Sequence, residues 1–203
     1  MAVRTSMKDL VGKIRTLVGD PTTSGAFPND TGGLWSNQEL QDFLDQRRLE
    51  VRFDILSPSP TVSAGTYTYV DYYHPLSYWE NDAVLKDASY AVLAPTTSEW
   101  LIGHWAFAAG QIPPVFIWGK TYDVNGVAAD VLEAWAAKEK LSFDVATDME
   151  TFTRSQKREA LLELADYYRK RSRPVMGIQQ RTDENLAAGV PGPVWNTPTS
   201  YVG

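Results

Sequence analysis

The chain contains no cysteine. That one absence excludes disulfides, thiolate zinc sites, iron–sulfur ligation and cysteine nucleophiles. Histidine is scarce as well. His74 and His104 are the only two in 203 residues, neither has a second ligand at metal-site spacing, and each reads as a polar tip in a strand or turn. No apolar run approaches the ~18 residues of a membrane helix. None follows Arg4 and Lys8 either, so the sequence predicts no spanning segment, no signal peptide and a cytoplasm-like compartment. Positive charge is in deficit, with 19 Lys and Arg against 25 Asp and Glu and a net charge of -6. Phosphate neutralisation by cations dominates nucleic-acid affinity, so this balance argues against a dedicated nucleic-acid binder while allowing DNA to pass close by. Glycine-rich phosphate loops, nucleophile elbows and zinc-helix motifs are also missing. The sequence predicts no catalytic site, no metal and no cofactor.

What is present is an ordinary globular composition, 43% hydrophobic and 22% charged, with an uneven supply of rings. Seven Trp, ten Tyr and seven Phe occur, and half of them lie between Ser57 and Thr121. This stretch is also rich in Val and Thr with frequent turn residues, which is strand composition. On both sides the pattern is helical. Met7, Leu10, Val11, Ile14, Leu17 and Val18 form one apolar stripe, Ser6 with Asp9 resembles a capping box, and Gly19 then Pro21 signal the stop. Ser36-Asn37-Gln38-Glu39 is a second capping box opening a helix with Leu40, Phe43 and Leu44 on one side.

From Leu49 to Ile55 apolar and charged residues alternate, a half-buried strand. Ser57-Pro58-Ser59-Pro60 reads as a hinge, because its prolines lack donors. Thr66–Tyr73, Ala83–Lys86, Trp100–Phe107 and Val115–Lys120 are the strand candidates of a small antiparallel sheet or open barrel. Asn125 is positioned to cap an alanine-rich helix through Val127, Val131, Leu132 and Trp135. After a loop over Asp144–Thr151, a last helix is predicted over Thr153–Arg171 with Leu161, Leu164, Ala165 and Tyr168 as its stripe. Residues after Pro174 show little periodicity and read as an extended tail.

The predicted class is therefore α+β: a small bundle of about four helices with an inserted antiparallel β-rich subdomain and an extended C-terminal tail. The boundaries are 1–56 and 122–174 for the helical parts, 57–121 for the insert and 175–203 for the tail.

Several residues compete for function. Acid pairs such as Asp42 with Asp45, or Glu80 with Asp82, match the two carboxylates of glycoside hydrolysis, against a reading as solvated surface charge. Trp79, Trp100, Trp105 and Trp118 suit either a sugar-stacking platform or a β core with a surplus for protein contacts, where Trp and Tyr are enriched. Arg154, Lys157 and Arg158 crowd a helix N-terminus, where the dipole disfavours cations. Either an acidic partner or Asp148 and Glu150 in the preceding loop would offset them.

Three stretches carry a resemblance: "WSNQELQDFLDQRRLEVRFDIL", "GKTYDVNGVAADVLEAWAAKEKLSFD" and "DMETFTRSQKREALLELADYYRKRSRP". In this order, around an aromatic insert, they resemble the head-to-tail adaptor (connector, head completion) proteins of tailed bacteriophages over most of Ser36 to Pro174. The resemblance implies a non-enzymatic virion protein of the neck at the portal vertex, assembled in the host cytoplasm as a ring, usually twelvefold. Such a ring would extend the DNA channel below the portal and join the head to the next neck, stopper or tail protein, with capsid or fibres as further partners of the insert. Packaged DNA would pass without sequence-specific binding, and no membrane is involved. Val175, Met176, Ile178, Trp195 and Tyr201 are then expected to dock on the portal, and Asp42, Asp45, Asp130 and Glu133 are candidates for the lumen. The alternative from another class is a carbohydrate-binding or depolymerising phage module using the aromatic insert.

Overall fold

The computed structural model describes residues 3–22, 25–29, 33–63, 65–140, 145–147, 150–152 and 154–173, without the side chains of 140, 145–147 and 150–155. Met1–Arg173 group as one unit and Pro174–Gly203 as a second. The five predicted portal-docking residues, Val175, Met176, Ile178, Trp195 and Tyr201, lie outside the described residues.

The first apolar stripe forms α1 (Lys8–Val18) behind a 3-10 turn over Thr5–Met7. Gly19 closes it with φ +70, a left-handed backbone that glycine takes without steric cost. The expected Ser6–Asp9 box does not form. Met7 is the N-cap without a side-chain bond, because the Ser6 hydroxyl donates to Glu80 at 2.6 Å. The second box forms as predicted. Glu39 N–H donates to Ser36 Oγ, Ser36 N–H donates to the Glu39 carboxylate at 2.8 Å, and α2 (Asn37–Gln46) follows. A buried pair, Arg15 with Asp20 at 3.0 Å, ties the approach to α2 onto the end of α1. Asp20 accepts from the N–H groups of Leu34 and Trp35, and Arg15 donates to the Trp35 carbonyl and to Asn37.

The alternating run becomes the expected strand, β1 (Arg48–Ile55), but not a half-buried one: of Leu49, Val51, Phe53 and Ile55 only Val51 is buried, with a register shift between Val51 and Asp54. The strands thus begin before the predicted boundary at Ser57. The supposed hinge is itself a strand, β2 (Ser57–Ser63), followed by β3 (Thr66–Tyr73), β4 (Val84–Lys86), β5 (Val92–Leu93), β6 (Thr97–Glu99), β7 (His104–Ala106) and β8 (Phe116–Tyr122). They form two antiparallel four-stranded sheets, ordered β1-β8-β4-β5 and β2-β3-β7-β6. Pro58 and Pro60 are tolerated because β2 is an edge strand that needs donors on one side only.

Helix α3 (Val124–Lys140) leaves directly from β8. Its cap is Asp123, whose carboxylate accepts from Gly126 N–H at 3.1 Å, whereas Asn125 donates to the Arg171 carbonyl. In place of the predicted loop, β9 (Val145–Thr147) and β10 (Glu150–Phe152) form a short antiparallel hairpin before α4 (Arg154–Arg169).

Two apolar cores result. The helical one gathers Leu10, Ile14, Leu40, Leu44, Val127, Val131 and Ala165, together with Tyr122 from the end of β8. The second holds Val51, Leu56, Tyr72, Trp79, Leu85, Trp105 and Ile117. Gly103, at φ +74, turns the chain into β7 where an added Cβ would lie 2.5 Å from the Leu76 carbonyl oxygen and 3.2 Å from that of His74. Gly103→Ala is therefore expected to lower stability by about 1 to 3 kcal/mol. An unchanged urea midpoint would contradict this packing.

Candidate interaction surface

The strand period sorts the rings of the insert. In β8, Ile117 points into the core while Phe116 and Trp118 point out. In β4, Leu85 points in, between Val84 and Lys86. The outer face of the β1-β8-β4-β5 sheet thus carries Trp118, Phe116, Lys86 and, by register, Ile55 beside Phe116 and Val92 beside Lys86. A bulge between Val51 and Asp54 swings Phe53 onto the same face, 5.4 Å from Trp118. Tyr90, from the turn before β5, meets Phe53 edge-on at 5.6 Å and stacks on Phe116 at 6.0 Å.

This cluster is out in solvent: Phe53 is 42% exposed, Trp118 45%, Ile55 56%, Tyr90 60% and Val92 69%. Contiguous exposed apolar area of this kind marks interaction sites. Phe53 and Tyr90 also hold left-handed backbones, φ +53 and +64. Non-glycine residues rarely adopt these, and such strain concentrates at functional positions. Lys86 Nζ sits 5.4 Å from the Phe53 ring centre and 5.5 Å from that of Trp118, a cation–π arrangement, and has no carboxylate partner among the described residues. Beside Trp118 the surface dips into a shallow depression bordered by Glu50, Arg52, Asp82 and Lys120.

Only part of the predicted aromatic interface lies on this face. Trp118 does. Trp79 and Trp105 are 1% and 0% exposed and belong to the β core, with ring centres 5.8 Å apart, so they are unavailable to a partner. Trp100 is half-buried against Trp105. The sequence does not single out Phe53, Tyr90 or Lys86: a bulge delivers Phe53 and a turn Tyr90, neither with a clear sequence signal, and Lys86 comes from the outward face of β4.

The carboxylates proposed for a lumen are mostly neutralised. Arg4 binds Asp45 through both terminal nitrogens, at 2.6 and 3.0 Å. Asp130 is held by Arg47 and Arg169, and Glu133 by Arg169 at 2.6 Å. Asp42 accepts from Gln38 at 2.7 Å. Three of the four form ion pairs, so they do not present a bare acidic strip.

Of the crowded cations, Lys157 pairs with Glu139 of α3 at 2.6 Å and lies over the Trp135 ring. This is neither of the two expected solutions. Arg158 is half-buried with its Nε unpartnered among the described residues. The Arg154 and Glu150 side chains and Asp148 lie outside those residues.

The acid pair Glu80 and Asp82 is not a matched pair of surface carboxylates. Lys120 reaches both, at 3.4 and 3.3 Å, but Glu80 is fully buried. His74 is buried too. Its Nδ1 accepts from Leu76 N–H and its Nε2 donates to Asp54, each at 3.0 Å, which fixes it as a structural tie. His104 lies between Asp71 and Glu99 at 3.1 Å and stacks on Tyr73. Among the described residues no cluster of three metal-ligating side chains occurs and no helix is long and apolar enough to cross a membrane. Comparison with family models, curated proteins and solved structures returned no match.

Proposed function

We propose that this chain is a structural head-to-tail adaptor of a tailed phage, one subunit of a ring below the portal that extends the DNA channel and joins the head to the neck or tail. The observation that carries the reading is the exposed aromatic face of the β1-β8-β4-β5 sheet, supported by the order of the three motif stretches. A ring needs heterologous interfaces, so each subunit must offer apolar surface beyond what its own core uses. Its partners on this reading are further copies of itself, the portal, and the next neck, stopper or tail protein. The test is sedimentation of the purified chain with portal rings of the same phage, followed by negative-stain imaging. Co-sedimentation with an added annular layer is expected; a chain that stays in the supernatant contradicts the proposal.

The depression beside Trp118, with polar groups around an exposed indole, favours carbohydrate binding as a second reading. Its probe is Trp118→Ala. Trp105 is unsuitable because its loss would damage the core. Glycan binding abolished by Trp118→Ala in a folded protein supports that reading, and the absence of glycan binding by the unaltered chain removes it.

A further inference from the structure

Helix α4 carries a second exposed apolar face. Leu161, Ala165 and Tyr168 turn into the helical core, where the Tyr168 hydroxyl donates to the Leu17 carbonyl at 3.2 Å. Ala160, Leu164 and Tyr167, spaced by four and three residues, lie together on one helical face and border a shallow depression with Glu163. Leu164 and Tyr167 are 36% and 45% exposed, and the Arg171 guanidinium lies over the Tyr167 ring, 3.8 Å from its centre. Neither Glu159 nor Glu163 has a cationic partner among the described residues. The sheet face presents the inverse pattern: apolar rings around Lys86, a cation with no carboxylate partner among the described residues. The two faces rest on different cores, so one subunit displays both at once.

We infer that α4 of one copy packs on the aromatic sheet face of the next copy, with Glu163, supported by Glu159, meeting Lys86. The assignment deepens the ring reading and depends on it. A helix laid on a sheet is a standard way to bury an apolar face. Because a helix face meets a sheet face, the contact is head-to-tail and propagates to a third copy, as ring closure requires. Opposite unpaired charges set the register, since like charges at the same place would be repelled.

The test uses the absence of cysteine. Val92→Cys, beside Lys86, and Ala160→Cys, one turn from Glu163, are made as separate single-cysteine proteins and treated with a short thiol–thiol cross-linker. A covalent dimer is expected in the mixture and in neither protein alone. In parallel, Lys86→Glu and Glu163→Lys are each expected to raise the concentration needed for half-assembly by about tenfold, and the double swap to restore it to within about threefold. If the unaltered chain assembles but mixing gives no dimer, one protein cross-links to itself, or the swaps leave assembly unchanged, this interface is wrong and the ring reading stands. If the unaltered chain does not assemble, alone or on portal rings, both fall.

Discussion

Replacing Glu80 by alanine is expected to lower the stability of the folded unit by roughly 3 to 5 kcal/mol, the scale for removing one partner from a buried charged network. The Glu80 carboxylate is fully buried and accepts from Ser6 at 2.6 Å, from Tyr122 at 2.6 Å, from Arg4 at 2.9 Å and from Lys120 at 3.4 Å. Those donors come from the N-terminal turn and from β8, so one carboxylate fastens the start of the helical part to the sheet that feeds α3. Burial alone would raise the Glu80 carboxyl, but the bonds from Ser6 and Tyr122 and the charges of Arg4 and Lys120 outweigh it and hold it below the ordinary carboxylate range. Burial, then the bond to Glu80, pushes the Tyr122 hydroxyl far above the ordinary phenol range.

The sign of the pH dependence follows. A carboxyl depressed in the folded state stabilises fully above its unfolded value, about 4.3, and that contribution is lost as pH falls through the folded value. Stability should therefore decline as pH drops below about 5, and Glu80→Gln should flatten that decline. Glu39, lowered by hydrogen bonds from Ser36, leaves a residual slope. Urea unfolding of both proteins across this range checks the claim, and parallel curves would contradict it.

Trp79→Ala is expected to cost about 3 to 5 kcal/mol, the range for emptying a buried aromatic site. The Trp79 ring packs edge-on against Trp105 and His74, and its Nε1 donates to the Leu76 carbonyl at 2.7 Å. Trp118→Ala, on the outer face of the same β unit, should change stability by less than about 1 kcal/mol. If the chain forms the proposed ring, the substitution should weaken assembly instead. Thermal melts and assembly assays on the two variants therefore separate core rings from contact rings, and equal melting shifts would contradict the division.

The elements that local chemistry controls were legible in the sequence. The Ser36 box and the apolar stripe of α1 depend on residues close in sequence, and the alternation of β1 marks a strand by its period, though not which of its side chains are buried. Elements decided by distant partners were not. Ser6 gives its hydroxyl to a residue 74 positions away, so its local pattern misleads. The Ser57–Pro60 run becomes a strand because β3 lies on one side of it and no strand of the described residues pairs on the other. Composition marks 57–121 as ring-rich, but inward and outward side chains differ by one step along a strand, as Ile117 and Trp118 show. The site depends further on left-handed backbones at Phe53 and Tyr90, which steric preference would not place at aromatic residues.

On the proposed reading, the chain completes itself by closing a ring with copies of itself. Native mass measurement over a range of concentrations, alone and with portal rings present, tests this most directly. One closed assembly at a fixed multiple of the subunit mass is the predicted result; a single-subunit mass under every one of these conditions would contradict it.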